Sequence, residues 1–179
     1  VRLRPVAAGV CNCLRGSRVL LATAKPSVLQ FSGLGQALEA FLERCTRAAS
    51  PPLTYELNDE GAPLLDDLPT NITIALYRIV QEAINNTVRH AHASKIEVRI
   101  IQQEEYLQII VEDDGLGLSK LPGRRTGGLN NIDTRASLLQ AKFATATREN
   151  GSGTRLEITL PNSSITPRTT GPVNPCAPT

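Results

Sequence analysis

The sequence predicts a layered α/β sandwich (α+β), in which helices cover one face of a single sheet. Two observations lead to this prediction. Apolar residues recur at helical spacing in some segments and alternate with polar residues in others. Helical and strand-like segments also follow one another along a chain of 179 residues, a length that suits one domain with a hydrophobic core.

The N-terminal part contains an irregular stretch, a helix and a strand. Residues 1–32 mix Arg, Gly and Pro with short apolar runs and show no clear period. A helical pattern begins at Gly33, and its apolar positions are Leu34, Leu38, Phe41, Leu42 and Cys45. Ser50-Pro51-Pro52 ends this helix, because proline cannot continue it and restricts the residue before it. Leu53 to Asn58 then alternates like a strand.

The clearest helical pattern covers Pro69 to His90. One side of the helix is apolar and carries Leu76, Ile79, Val80, Ala83, Thr87 and Ala91. The other side is polar over an arc of roughly 100° and carries Arg78, Glu82, Asn85, Asn86 and Arg89. We therefore expect an amphipathic helix with a polar flank.

Two hairpins are predicted after this helix. Residues 96–100 and 107–111 alternate on either side of a polar turn, and residues 143–148 and 154–160 do the same around a Gly-rich turn. Residues 129–139 between the hairpins have the apolar spacing of another helix.

Composition limits the classes of function. The net charge is +2, the basic residues are scattered, and three Tyr and three Phe offer little surface for base stacking, so we expect no nucleic-acid binding. No apolar run is long enough to span a membrane. The four cysteines have no paired metal spacing and predict free thiols in a reducing, cytoplasmic compartment. Because the chain contains no Met, we expect a C-terminal piece of a longer protein, in which a membrane anchor can lie elsewhere.

Glu82 and Asn86 are candidates for a catalytic and a metal-binding side chain. They are one turn apart, so both project from one patch of the helix, and Arg89 and His90 extend that patch. Mg²⁺ prefers oxygen ligands, so the Asn86 carbonyl together with nucleotide phosphates makes a plausible shell. Glu82 would orient or deprotonate an attacking group. A solvated helix face is the alternative interpretation.

A carboxylate and a pair of glycines form the second candidate block. Asp113 ends an apolar strand, where it can accept a hydrogen bond from the exocyclic amine of adenine. Gly115 and Gly117 allow close backbone approach and positive φ. An ordinary Asp-Gly turn remains the alternative.

Further glycines suit a triphosphate. Gly127 and Gly128 precede a helix, whose N-terminus attracts anions. Gly153 and Thr154 supply another phosphate or rim contact, or belong to a plain hairpin turn. The loop from Gly117 to Gly127 is interpreted as a short lid or as a solvated loop.

Four of these motifs resemble those of sensor histidine kinases. Residues 76–91, which read LYRIVQEAINNTVRHA, closely resemble the N box of that family. VEDDGLGL at 111–118 resembles the first glycine box, and GGLNNIDTR at 127–135 resembles the second. GTRL at 153–156 resembles the final strand. Within that family, the motifs most resemble those of the nitrate-sensor and desaturase-sensor subfamily.

The resemblance implies the Bergerat ATP-binding fold with a mixed, mostly antiparallel sheet, over residues 33–161. It implies that Glu82 is the catalytic acid/base, Asn86 the Mg²⁺ ligand and Asp113 the adenine-binding residue of an ATP:protein-histidine phosphotransferase. Arg89 and His90 would lie by the phosphates, and the remaining ATP contacts would come from Gly115, Gly117, Gly127, Gly128, Leu129, Gly153 and Thr154. The expected partners are a dimerisation helix carrying the phosphoacceptor His and a response regulator.

The sequence also departs from the family pattern. The first half has no His, so the acceptor must come from sequence outside this chain or from another chain. Residues 1–32 would be a remnant of, or an insertion after, the dimerisation hairpin, and residues 162–179 a disordered tail rich in Pro, Ser and Thr. Three alternatives remain: a catalytically silent ATP-binding module, a serine/threonine kinase of the anti-sigma class on the same fold, and a structural α/β domain that binds no ligand.

Overall fold

A computed structural model describes residues 27–59, 65, 68–117, 127–148 and 151–165. The predicted lid and most of the predicted N-terminal segment and tail lie outside these ranges. The elements in chain order are α1 (Ser27–Ala48), β1 (Thr54–Asn58), α2 (Thr70–Asn86), a π-helical turn (Thr87–Ala91), β2 (Lys95–Gln102), β3 (Tyr106–Asp113), α3 (Gly127–Leu138), β4 (Lys142–Thr147), β5 (Thr154–Pro161) and a 3₁₀ turn (Asn162–Ser164).

The five strands form one mixed sheet in the order β1-β2-β3-β5-β4. β1 pairs with β2 in parallel, and the other neighbours are antiparallel. Opposite residues in the register, such as Val98 with Val111 and Val111 with Leu156, belong to the alternating apolar sets of their strands. The period-two pattern therefore puts all three central strands in a register that buries one face.

Helices α1 and α2 cover that buried face. Leu34, Leu38 and Phe41 of α1 pack in one core with Ile79 and Val80 of α2 and with the inward residues of the sheet. Gly33 interrupts α1 with φ 71° and ψ 171°, so the regular run starts where the apolar period predicts it. The predicted sandwich, with helices on one face of a sheet, is confirmed.

The opposite face of the sheet carries ion pairs. Glu112 is 5% exposed, and its carboxylate forms salt bridges with the guanidinium groups of Arg99 at 3.0 Å and Arg155 at 2.9 Å. Arg148, just after β4, reaches Glu97 of β2 at 3.2 Å. Because buried carboxylates require partners, the two arginines account for the burial of Glu112.

Two details differ from the sequence prediction. Asn85, expected on the polar flank of α2, is 9% exposed and belongs to its buried side. The chain also stays ordered past Pro161, where the tail was expected to begin. The Asn162 side chain donates to the carbonyls of Gln103 and Glu104 at 3.0 and 2.8 Å, and these bonds fix the 3₁₀ turn on the β2–β3 hairpin.

Candidate functional site

An open cleft lies between α2, the π-helical turn, the ends of β3 and β5, and α3. It contains about 520 Å³ of empty space, including its open mouth. Its lining residues are Ala83, Asn86, Thr87, His90, Ala91, Val111, Asp113, Leu129, Thr154 and Leu156. The fold thus brings five of the predicted site residues to one opening: Asn86, His90, Asp113, Leu129 and Thr154.

The π-helical turn shapes one wall of the cleft. The α-helix ends at Asn86, and the Thr87 amide is shared between the carbonyls of Ala83 and Ile84. His92 ends the turn in the left-handed region at φ 51°. A π turn widens the helix by one residue, and such turns are frequent at functional sites. His90 of this turn lies at the mouth of the cleft, and its side chain is exposed.

Arg89 behaves differently from its neighbour. It is exposed and is absent from the described lining of the cleft. Burial raises the pKa of the Cys45 thiol in α1, and the positive charges of Arg44 and Arg89 partly offset that effect. The charge of Arg89 is therefore close enough to influence Cys45, and its place beside the phosphates stays a prediction.

Glu82, Asn86 and Gly128 meet at the start of α3. Glu82 and Asn86 are half-buried and lie on consecutive turns of α2. A Cβ atom on Gly128 would be 2.6 Å from Glu82 Oε1 and 3.0 Å from Asn86 Oδ1. Because those distances leave no room for a side chain, glycine allows the backbone of α3 to lie directly against this acid–amide pair. Gly127 has open space around it.

Asp113 is held by three hydrogen-bond donors. It is 5% exposed. Its Oδ1 accepts from the amides of Gly115 at 3.0 Å and Thr154 at 3.1 Å, and its Oδ2 accepts from the Thr87 hydroxyl at 3.2 Å. These bonds satisfy a buried carboxylate and fix its orientation at the end of the cleft.

Three glycines allow the backbones around Asp113 to pack closely. A Cβ on Gly115 would be 2.2 Å from the Ala91 carbonyl oxygen, which accepts from the Leu116 amide at 2.8 Å. Gly153, at φ 87°, would bring a Cβ to 1.9 Å from the Asp113 carbonyl oxygen. Gly117, at φ 77°, lies beside Gly153. These three predicted residues therefore shape the site through their backbones.

Asp114 and Ser94 form a bridge that the sequence did not reveal. Asp114 accepts from the amides of Ser94 at 2.7 Å and Lys95 at 2.9 Å, and from the Ser94 hydroxyl. Burial alone would raise the pKa of Asp114, but the hydrogen bonds from Ser94 and Lys95 outweigh it and hold that pKa below its ordinary value. Asp114 therefore ties the end of β3 to the start of β2, whereas Asp113 faces the cleft.

The family model described as histidine kinase-, DNA gyrase B- and HSP90-like ATPase matches residues 71–164, which include the whole cleft. The chain belongs to this family of ATPases. The five-stranded mixed sheet and its helices have the Bergerat α/β arrangement that the sequence predicts.

Sensor protein VraS is a relative from two staphylococci. The Staphylococcus epidermidis protein is 30% identical over 145 residues, and the Staphylococcus aureus protein is 30% identical over 147. Each match includes 80% of this chain and 40% of the relative. The chain thus spans less than half the length of these relatives.

Solved structures agree on the fold. The blue-light activated histidine kinase of Erythrobacter litoralis EL346 superposes with a TM-score of 0.60 at 21% identity, over 75% of this chain and 43% of that one. The ATP binding domain of PrrB from Mycobacterium tuberculosis gives 0.54 at 22% identity, over 72% of this chain and 93% of that one. The second match includes almost the whole of that domain, so the fold is shared nearly from end to end of it.

Membrane-spanning helices and acid- or thiol-rich metal clusters are both absent from the described part of the chain. No described helix combines the length and apolar character needed to cross a bilayer. The same part of the chain contains no cluster of three or more His, Cys, Asp or Glu side chains that would hold a metal ion by itself.

Proposed function

We propose that this domain binds Mg·ATP and transfers the γ-phosphoryl group to a histidine on a dimerisation helix, as the catalytic domain of a sensor histidine kinase. The single observation that carries the proposal is that Asn86 and Asp113 line one open cleft, with apolar side chains between them. The two polar groups suit the two ends of a nucleotide, and the apolar walls suit a base.

The Asp113 end of the cleft suits adenine. A carboxylate offers about four acceptor positions, and three donors occupy Asp113 from the protein side. The remaining acceptor position on Oδ2 is available for the exocyclic amine of adenine. Val111, Leu129 and Leu156 line the same region and provide an apolar surface for the flat ring.

The Asn86 end suits the phosphates. The N-terminus of α3 lies against Asn86, and free amides together with the helix dipole attract anions there. The Asn86 amide oxygen fits Mg²⁺, which prefers hard oxygen ligands and takes the rest of its shell from phosphates and water. When bound, the ion would neutralise phosphate charge. His90 at the mouth is the basic residue that we propose beside the phosphates, and Arg89, the residue before it, is a second candidate.

Glu82 is the proposed catalytic residue. An unprotonated imidazole nitrogen attacks the γ-phosphorus, the bond to the β–γ bridging oxygen breaks, and ADP leaves. Glu82 would accept a hydrogen bond from the N–H of the other imidazole nitrogen and so hold the reactive tautomer. The acceptor helix belongs to sequence outside this chain or to a second chain, and a cytosolic response regulator would take the phosphoryl group next.

Phosphotransfer to a supplied acceptor helix tests the proposal. The wild-type domain is first titrated with a fluorescent ATP analogue, with and without Mg²⁺, and then assayed with labelled ATP and a dimerisation-helix fragment. We expect Glu82→Gln to lower the transfer rate by about 100-fold or more while ATP binding changes little. Glu104→Gln, an exposed carboxylate in the β2–β3 turn, is the matched control.

Each outcome has a distinct meaning. Unchanged transfer by Glu82→Gln, with ATP still bound, would show that the role given to Glu82 is wrong. Binding without any transfer by the wild-type domain would favour the catalytically silent module. Labelling of Ser or Thr in place of His would favour the anti-sigma class of kinase.

A further inference from the structure

Thr87 connects the two polar ends of the cleft. It is the first residue of the π-helical turn, directly after Asn86, and it is 5% exposed. Its hydroxyl lies 3.2 Å from Asp113 Oδ2 and 3.3 Å from the Ala83 carbonyl oxygen. The hydroxyl has one proton to donate, and a charged acceptor makes the stronger bond. The proton therefore belongs on the Asp113 side.

The two oxygens of Asp113 have different environments. Oδ1 accepts hydrogen bonds from the backbone amides of Gly115 and Thr154. Because these donors are backbone groups, they do not depend on the side chain at position 87. Oδ2 receives Thr87, and within the described ranges this hydroxyl is the protein donor that reaches it. The direction in which Oδ2 presents its remaining lone pair therefore depends on one side chain.

We propose that Thr87 is a positioning residue that aims the Asp113 carboxylate at the nucleotide base and thereby sets base specificity. This inference rests on the proposed function. A carboxylate that receives three hydrogen bonds offers acceptors alone, which suits the amine of adenine and opposes the carbonyl of hypoxanthine. Without the hydroxyl, the two amides still hold Oδ1, but Oδ2 loses its protein donor and the plane of the carboxylate is fixed less tightly, so this discrimination weakens.

The experiment compares the affinities of ATP and ITP, because ITP carries a carbonyl where ATP carries an amine. We expect Thr87→Val to reduce the ATP-over-ITP preference by about tenfold, the loss typical of a hydrogen bond to a charged group. Thr87→Ser should retain most of the preference. The matched control is Thr73→Val, which removes a buried hydroxyl from the same helix whose acceptors are the Leu68 and Pro69 carbonyls.

A double-variant cycle with Asp113→Asn tests whether Thr87 acts through Asp113. Once Asp113 is replaced, Thr87→Val should cause no further loss of preference. Wild-type preference in Thr87→Val would overturn the inference and leave the proposed function intact. The inference would also be overturned if Thr87→Val and Thr73→Val lowered the affinities for ATP and ITP by the same factor, since that result reports a loss of stability alone. Failure of the wild-type domain to bind either nucleotide would overturn the proposed function together with the inference.

Discussion

Replacing Gly128 by Ala should disable phosphotransfer with little effect on folding. The added Cβ would lie 2.6 Å from Glu82 Oε1, 3.0 Å from Asn86 Oδ1 and 3.1 Å from Asn86 Nδ2. An ordinary van der Waals contact begins at 3.4 Å, so the Glu82 oxygen must retreat by roughly 1 Å. Both side chains end in flexible groups, so they move and the backbone of α3 stays in place.

The displacement should reduce the reaction rate more than nucleotide affinity. A misplacement of about 1 Å at a reacting group costs on the order of 100-fold in rate. The melting temperature should change by no more than a few degrees, because Ala favours the helix where Gly does not, by about 1 kcal/mol. The measurements are single-turnover transfer to a supplied acceptor helix, ATP titration and thermal unfolding of the same preparation.

Gly127→Ala provides the matched control for this prediction. It makes the same chemical change one residue earlier in α3, where a Cβ meets nothing within 4 Å. Because Gly127 is itself a predicted phosphate contact, the two variants are compared at saturating ATP, where we expect Gly127→Ala to transfer at least about tenfold faster than Gly128→Ala. Equal rates in Gly128→Ala and Gly127→Ala would refute the reasoning, since they would show that the Glu82 position does not limit the reaction.

Two further predictions concern stability. Gly153→Ala should destabilise the fold by about 3 kcal/mol or more, because its Cβ would lie 1.9 Å from the Asp113 carbonyl oxygen and its φ is 87°. Urea unfolding of this variant is compared with that of Gly127→Ala, whose added Cβ meets no neighbouring atom. Asp114 has a depressed pKa in the fold, so its charge stabilises the folded state above its unfolded pKa of about 3.9. That contribution disappears as the pH falls below this value through the folded pKa. The free energy of unfolding of Asp114→Asn should therefore fall less than that of the wild-type protein between neutral and acid pH. Parallel plots of this free energy against pH would contradict a depressed pKa of Asp114.

The sequence predicted the elements that have a strong local period. The apolar positions of α2 and the alternation in β2 and β3 are visible residue by residue, so their helix, strands and hairpin are confirmed. The strand order was less accessible. The parallel pairing of β1 with β2 sets Thr54 opposite Lys95, 41 residues further along the chain, and depends on the packing of α2 between them.

The site residues missed by the sequence analysis act through tertiary contacts. Thr87 looked like an apolar position of α2, because its hydroxyl finds its charged partner 26 residues away. Asp114 looked like part of a turn, and its bond to Ser94 spans 20 residues. The π-helical turn was not predicted either. The Ala91 carbonyl accepts a hydrogen bond from the Leu116 amide, and the spacing of apolar residues within one helix does not indicate such a distant partner.

The same contacts explain why the cleft can be both rigid and open. The end of β3 is fixed by Asp114 to the start of β2 and by the Leu116 amide to the Ala91 carbonyl of the π-helical turn, and it packs closely against Gly153 just before β5. All of these attachments use backbone atoms or a side chain directed away from the cleft, so they leave Asp113 Oδ2 and the Asn86 amide facing the opening. The polar groups that would contact a substrate are therefore already oriented in the folded protein, and such preorganisation reduces the entropic cost of binding.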